Sequence, residues 1–331
     1  MVVSVVGARL LPEVRDPAPG RFDVPGAVLS VVGVLAVIYG VKRLAEAGAD
    51  AGALLALVVG IAVGAVFVRR QRRTAHPLLD VGLFRSAAFS TSVLVNVLIG
   101  VTLAGIFLFV AQYLQLVIGM SPLVAGLWLI PSTAGIIAGS LLTPLLVRRV
   151  PARRLVAAGL AVAAAGLVVI AQVGAEPDLA LLVAGTVVLG IGAAPASTLS
   201  VDLIVGAAPA ERAGAASAIS ETGNELGNAL GIALLGSIGV AVYRATMTGA
   251  VPAGPASQLA PHEAAAAADT LAGAHEVAAT LPAPAGAELV ATATDAFVGG
   301  MQLSAWLGAV LAAAAAVAVP VLLRRTGGDR R

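Results

Sequence analysis

The sequence predicts an all-α, polytopic membrane protein with eight transmembrane helices. Three observations carry that expectation. Apolar residues make up 59% of the chain and charged residues only 11%, more apolar surface than a water-soluble fold of this size can hide. The apolar residues fall into eight runs of about 18 to 28 residues, each long enough at ~1.5 Å per residue to cross a ~30 Å hydrocarbon layer. Finally, 17 of the 20 basic residues lie in the terminal segments and in every second connection, as the positive-inside bias of membrane helices requires.

The runs lie near 24–42, 50–68, 88–116, 121–147, 154–174, 179–204, 213–243 and 297–323. Arg9, Arg15 and Arg21 precede the first span, and Arg69, Arg70, Arg72, Arg73 and Arg85 separate the second from the third. Arg148, Arg149, Arg153 and Arg154 follow the fourth, Arg212 precedes the seventh, and Arg324, Arg325, Arg330 and Arg331 end the chain. The alternate connections hold only Lys42, Arg43 and Arg244, which puts both termini in the cytoplasm. The connection 244–296 is then external; its helix-forming patches predict short surface helices, either as a spacer or as a lid.

The balance of charge excludes other classes. A net charge of +2 with one lysine and 19 arginines reflects an arginine bias, not a nucleic-acid-binding surface. Cysteine is absent, so thiolate chemistry and cysteine metal sites are ruled out. His76, His262 and His275 are scattered and read as solvated loop residues, and no metal site is expected. No nucleophile, metal cluster or phosphate loop suggests an enzyme or a bound cofactor. The opening MVVSVVGARLLPE reads as the last turns of a helix whose beginning is missing.

Chemistry concentrates in the seventh span, ISETGNELGNALGIALLGSIGVAVY. On a helical wheel Glu221, Asn224, Glu225 and Asn228 share one face. Gly223, Gly227 and Gly231 recur every fourth residue on the adjoining face, a small-xxx-small pattern that lets two helix backbones approach closely. The opposite face, with Leu226 and Leu230, is expected toward lipid. Two acids near mid-bilayer cost roughly 5–7 kcal/mol on insertion scales, a cost tolerated where a hydrated cavity or partner exists. Two readings fit Glu221 and Glu225: interfacial acids near the helix N-terminus, or carboxyls inside the protein that bind and release protons in exchange for a cationic solute.

Asp202, at the inner end of the sixth span, is either an auxiliary acid or an interfacial acid paired with Arg212 or another loop arginine. Asp295 is expected at the start of the last helix as a dipole partner. Asn96, Gln112 and Gln115 line a polar passage or glue helices together. Trp128 and Trp306 contact a ligand or anchor packing. Pro131, Gly135, Gly139, Gly190, Gly192 and Pro195 mark helices able to bend and pack closely.

At HPLLDVGLFRSAAF, residues 76–89, the chain resembles the fourteen-helix drug/proton antiporter branch of the major facilitator superfamily, where such a run joins the central helices to a new domain. RFDVPGAVLSVVGVLAVIYG is similar to the start of that branch's central helix pair, and AGAASAISETGNELGNALGIALLGSIG to its penultimate helix in quaternary-ammonium and multidrug exporters. The resemblance covers nearly the whole chain, with 244–296 unremarkable. It implies the tail of a preceding helix and a linker at 1–23, the central pair at 24–70, a cytoplasmic linker at 71–87, a six-helix C-terminal transporter domain at 88–323 and a tail at 324–331. That domain is implied to be two inverted three-helix repeats, 88–174 and 179–323. LLVRRVPARRLVAAGL echoes the family's Gly-Asp-Arg loop, with Arg148 in the Asp place and Pro151 in the Gly place.

The resemblance implies part of a proton-coupled multidrug efflux transporter in a bacterial inner membrane. No cofactor is implied beyond the proton gradient. Its partners would be the bilayer, small lipophilic or cationic solutes and a missing N-terminal six-helix domain. Glu225 and Glu221 are the expected proton or cation sites, with Asn224, Asn228 and Asp202 as auxiliaries. The alternative is a nonfunctional fragment or regulatory half that pairs with a separate N-terminal half.

Overall fold

A computed structural model describes residues 23–47, 50–74, 77–209, 212–250 and 259–324. The expected helix tail at the N-terminus, His76 and the C-terminal tail after Arg324 lie outside the described residues. The elements are α1 (Val24–Ala47), α2 (Ala51–Gln71), a 3₁₀ turn (Val81–Arg85), α3 (Ala87–Gln112) continued by a π turn (Tyr113–Val117), α4 (Pro122–Trp128), α5 (Ile130–Val147), α6 (Ala152–Ile170), α7 (Leu179–Gly206), α8 (Ala213–Ala250), α9 (Pro261–Asp269), α10 (Leu271–Ala278) and α11 (Ala283–Arg324). Among the described residues, eight spans are long and apolar enough to cross a membrane, α4 and α5 together making one of them. The fold is all-α and integral to the membrane.

α4 and α5 part at Leu129, whose backbone is a turn. Pro131 lacks the N–H that would continue the ladder, so the helix breaks there. Pro195 lies within α7 without ending it.

α1 and α2 form a hairpin, and α3 and α5–α8 with α11 form the bundle. α7 runs through it, packed on α5, α6 and α3, while α11 packs on α6 and α8. Gly192 lets α6 and α7 meet backbone to backbone, since a methyl there would stand 2.3 Å from the Ala163 nitrogen. The closest backbone contact within the third and seventh spans is α3 on α8. A methyl on Gly227 would lie 2.5 Å from the Val97 oxygen, and one on Gly231 would lie 2.2 Å from the Val101 oxygen.

The hairpin is clamped at both ends by acids that also cap helices. Asp23, with its side chain 1% exposed, takes the Arg70 guanidinium at 2.7 Å and the Gly26 nitrogen at 3.1 Å. Gln71 donates to the same carboxylate and accepts from the Leu79 nitrogen. At the other end Asp50 accepts from the Ala53 nitrogen and from Arg43 at 2.6 Å. Arg70 holds the Asp23 carboxyl below its ordinary range, and Arg43 does the same for Asp50, each opposed by some burial.

The stretch between the last two spans is more helical than expected. α8 continues to Ala250 and α11 already begins at Ala283, because Ala-rich segments keep helical propensity beyond the bilayer. Asp295 therefore lies inside α11 and not at its start. α9 and α10 form a packed cap: the Tyr243 hydroxyl donates to the Ala267 oxygen at 2.8 Å, Arg244 pairs with Asp269, and the His275 ring bonds the Leu116 oxygen at 3.1 Å. Ala267, Leu271, Ala274 and Val277 join the core that contains Tyr113 and Met301. His275 is thus a tertiary contact and not a solvated loop residue.

Two outcomes follow. Gly231→Val should lower stability by about 2 kcal/mol or more through overpacking, whereas Gly223→Ala, whose methyl would stand 3.5 Å from Val97, should be near neutral in the same detergent melts. Because the folded-state pKa values of Asp23 and Asp50 are depressed, their contribution is full above the usual carboxylate pKa of about 3.9. It should be lost as pH falls through the lower folded values. Asp23→Asn should reduce the melting midpoint near neutral pH and flatten its fall on acidification.

Candidate functional site

The rotation of α8 is set by the glycine contact with α3, and every polar group on α8 takes its place from that. Asn224 and Asn228 flank the contact and are half-buried. They meet one another, the Asn228 amide donating to the Asn224 side-chain oxygen at 3.3 Å. Glu221 and Glu225 lie farther round the helix and are exposed. Among the described residues neither carboxylate has a hydrogen-bonding or ionic partner.

The expectation that Leu226 and Leu230 form the outward face is corrected: both are half-buried, and between Glu221 and Ile232 the exposed residues are Glu221, Thr222, Glu225, Ala229 and Ile232. The reason is geometric. At 100° per residue the acids stand about 120° and 160° from the centre of the glycine stripe and the leucines only about 100° and 60°, so the leucines lie nearer the face that α3 covers. Carboxyls expected to sit inside protein therefore open outward from this bundle.

Asp202 is exposed near the end of α7 and is not joined to the acids of α8 by any bond among the described residues. The arginine expected beside it, Arg212, instead donates to Asp80 at 2.5 Å. Asp80 also accepts from the Gly82 nitrogen at 2.9 Å. The pair ties the turn before α3 to the start of α8. Its signal in the sequence was the Asp of HPLLDVGLFR, to which no partner had been assigned.

Asn96, 2% exposed, donates to the Ser220 oxygen at 2.8 Å and to its hydroxyl at 3.3 Å. It is the interhelical glue of α3 and α8, adjacent to Glu221. Gln115 bonds back to the Ala111 oxygen within its own helix. Trp128 and Trp306 are 39% and 45% exposed on the outside of the fold. Among the described residues no group of three histidines or acids could hold a metal.

Comparison with known proteins decides the family. Residues 92–256 match the Major Facilitator Superfamily profile. The chain belongs to the Major Facilitator Superfamily. It is 42% identical over 321 residues to the multidrug efflux pump LfrA of Mycolicibacterium smegmatis, covering 97% of this chain and 62% of that protein. It is 31% identical over 340 residues to the tetracenomycin C resistance and export protein of Streptomyces glaucescens, covering 100% of this chain and again 62% of the relative. Identity to the methyl viologen resistance protein SmvA of Salmonella typhimurium is 30% over 242 residues, covering 71% of this chain and 48% of that protein. This superfamily chain thus spans less than two thirds of the length of these relatives. Its family is one of membrane transporters and not of enzymes.

Structural and functional roles on this surface should separate cleanly. Asn96→Ala should cost about 0.5–1.5 kcal/mol, the range for hydrogen bonds between membrane helices. Glu225→Gln should change stability by no more than about 0.5 kcal/mol, both being read from reversible unfolding in mixed micelles.

Proposed function

We propose that this superfamily chain is part of a proton-coupled multidrug efflux transporter of the fourteen-helix branch, exporting lipophilic or cationic compounds by drug/proton antiport. In this reading α1 and α2 are the central pair and 88–323 is the C-terminal six-helix domain. The membrane is a bacterial inner membrane with both termini cytoplasmic. The observation that carries the proposal is the α8 surface. Two carboxylates are turned away from the bundle by a glycine contact, beside two half-buried amides, at a depth where leaving the acids to lipid would cost several kcal/mol.

That depth is about 18 Å of helix from Ala213 to Glu225, well beyond the reach of a headgroup layer. Such acids need a hydrated passage or a facing protein surface. Alternating access supplies both, since two bundles rock about a midplane site. A second six-helix domain facing α8 would enclose Glu225 and Glu221 as the proton or cation sites. Asn224 and Asn228 would hold a solute by hydrogen bonds, and Asp202 would act as an auxiliary acid. Partial neutralisation by burial would then let a bound cation and a proton compete for the same carboxylate. Relatives named for multidrug efflux, tetracenomycin C export and methyl viologen resistance support this solute class.

The test is transport by the chain alone and together with the remaining part of LfrA, in inside-out membrane vesicles challenged with methyl viologen. Drug-driven proton movement should occur only in the combined system, and Glu225→Gln should reduce it to background while leaving membrane insertion intact. Transport by the chain alone would overturn the facing-domain reading; undiminished proton movement in the variant would overturn the role of Glu225.

A further inference from the structure

Three buried threonines of this bundle settle their hydrogen bonds within their own helices. Thr102 donates to the Leu98 oxygen, Thr143 to the Gly139 oxygen and Thr186 to the Val183 oxygen, at 2.8, 2.8 and 2.9 Å. Ser92 on α3 and Ser200 on α7 do not. They are 2% and 1% exposed, and among the described residues neither hydroxyl has a hydrogen-bonding partner. The Asn96 Oδ1 is equally without one, although its amide nitrogen serves Ser220 of α8. Ser132 on α5 is the fourth buried side chain left with an unpaired atom.

The three atoms on α3 and α7 come to one level. Ile99 and Ala193 line the same small internal cavity, and nearer the arginine-rich end Phe89 and Ile204 share an apolar cluster. α3 and α7 therefore run antiparallel, a step along one matched by an opposite step along the other. Ser92 is seven residues from Ile99, and Ser200 seven from Ala193. Seven residues are about two turns and point in nearly the same direction, so the two serines face each other two turns from that cavity. Asn96, one turn from Ser92 on the same side of α3, reaches back to Ser220. The layer is closed on one side by Phe89, Ile204, Ala216 and Ile219, and on the other by Ile99, Leu160 and Ala193. The other hydroxyls of this stretch, on Thr91, Ser197 and Thr198, are not among the unpaired buried atoms.

Two hydroxyls and an amide oxygen, sealed between apolar layers where α3, α7 and α8 meet, define what lies between them. The occupant must donate to an acceptor, exchange hydrogen bonds with hydroxyls and fit between helices. No carboxylate turns into the layer to balance a metal ion, since Glu221 and Asp202 are exposed. Water has two donors and two acceptors, and buried water characteristically makes about three bonds to polar groups that lack other partners. Immobilising it costs less than leaving three buried polar groups unpaired. We propose that the layer binds a water molecule, which donates to the Asn96 Oδ1 and to one serine oxygen and accepts from the other serine hydroxyl. Among the described residues no side-chain hydrogen bond joins the spans α3 and α7 directly. The water is their polar link, on the covered side of α8 and away from its exposed carboxylates.

Asparagine occurs only at 96, 224 and 228, so the chain labelled with carbon-13 asparagine in liposomes gives three side-chain carbonyl signals. The one missing from Asn96→Gln belongs to residue 96. In solid-state NMR that carbonyl should receive magnetisation from water protons although its side chain is buried. Ser92→Ala combined with Ser200→Ala leaves the water one partner, fewer than it needs, and should lose the transfer. Ser200→Val, whose methyls occupy the gap, should lose it as well. Ser132→Ala, which removes the unpaired hydroxyl on α5, should leave it unchanged. Melting midpoints measured alongside show which variants fold, and the wild-type signal decides by itself if the serine variants do not. Absence of transfer to Asn96 in the wild type would overturn the proposal. Undiminished transfer in the folded serine variants, or an equal loss in Ser132→Ala, would overturn it too, by showing that the protons reach Asn96 by another route.

Discussion

The close passage of α3 against α8 is the contact on which the arrangement of this protein depends. Gly227 and Gly231 press on the Val97 and Val101 oxygens, while Gly100 faces the Asn224 oxygen. Lipid chains offer no hydrophobic drive for two apolar helices to associate, so close backbone packing and the Asn96–Ser220 hydrogen bonds hold them. A contact this tight has a single rotation. Rolling α8 by one residue would drive the Asn224 side chain into Val97. From that rotation follows the gradient around the helix: glycines buried, amides half-buried, carboxylates exposed.

A second constraint is electrostatic and acts on the hairpin. Asp23 and Asp50 each cap one helix and bind an arginine of the other. Each acid therefore fixes a helix start and a helix pairing together. The hairpin is held rigidly to itself by these clamps, whereas its attachment to the bundle runs through α1 on α8.

Much of the fold was legible because the bilayer imposes it. Runs of about twenty apolar residues fix the number of spans almost without reference to packing. Pro131 likewise marks the break at Leu129. The spans' outer ends were not legible. Past the bilayer, α8 and α11 continue on alanine-rich sequence that reads equally as a loop with short helices. The pairings of Asp23 with Arg70 and Asp80 with Arg212 join residues 47 and 132 apart, and no local pattern announces them. The polar face of α8 was visible as a face. Which way it turned was not, because the glycine stripe names a contact without naming the helix that fills it or the sides other helices cover.

The exposed carboxylates then carry a physical consequence of their own. The proposed transport mechanism rests on it. A carboxylate facing acyl chains takes up a proton, since burial without a partner favours the neutral form. A carboxylate facing water or a cation gives it up. Glu221 and Glu225 lie on the one side of α8 that neither α3 nor the neighbouring helices cover, so their environment is set by whatever lies opposite this bundle. In the proposed reading, a facing surface that closes over a cation-bearing solute displaces the proton, and one that closes without solute, shielding the carboxylate from water, restores it. Solute and proton exchange then need no contact between them, only a shared carboxylate on a helix that cannot rotate. In the proposed reading, the glycines that lock α8 onto α3 hold its acids on the outward side, where a facing surface sets their surroundings.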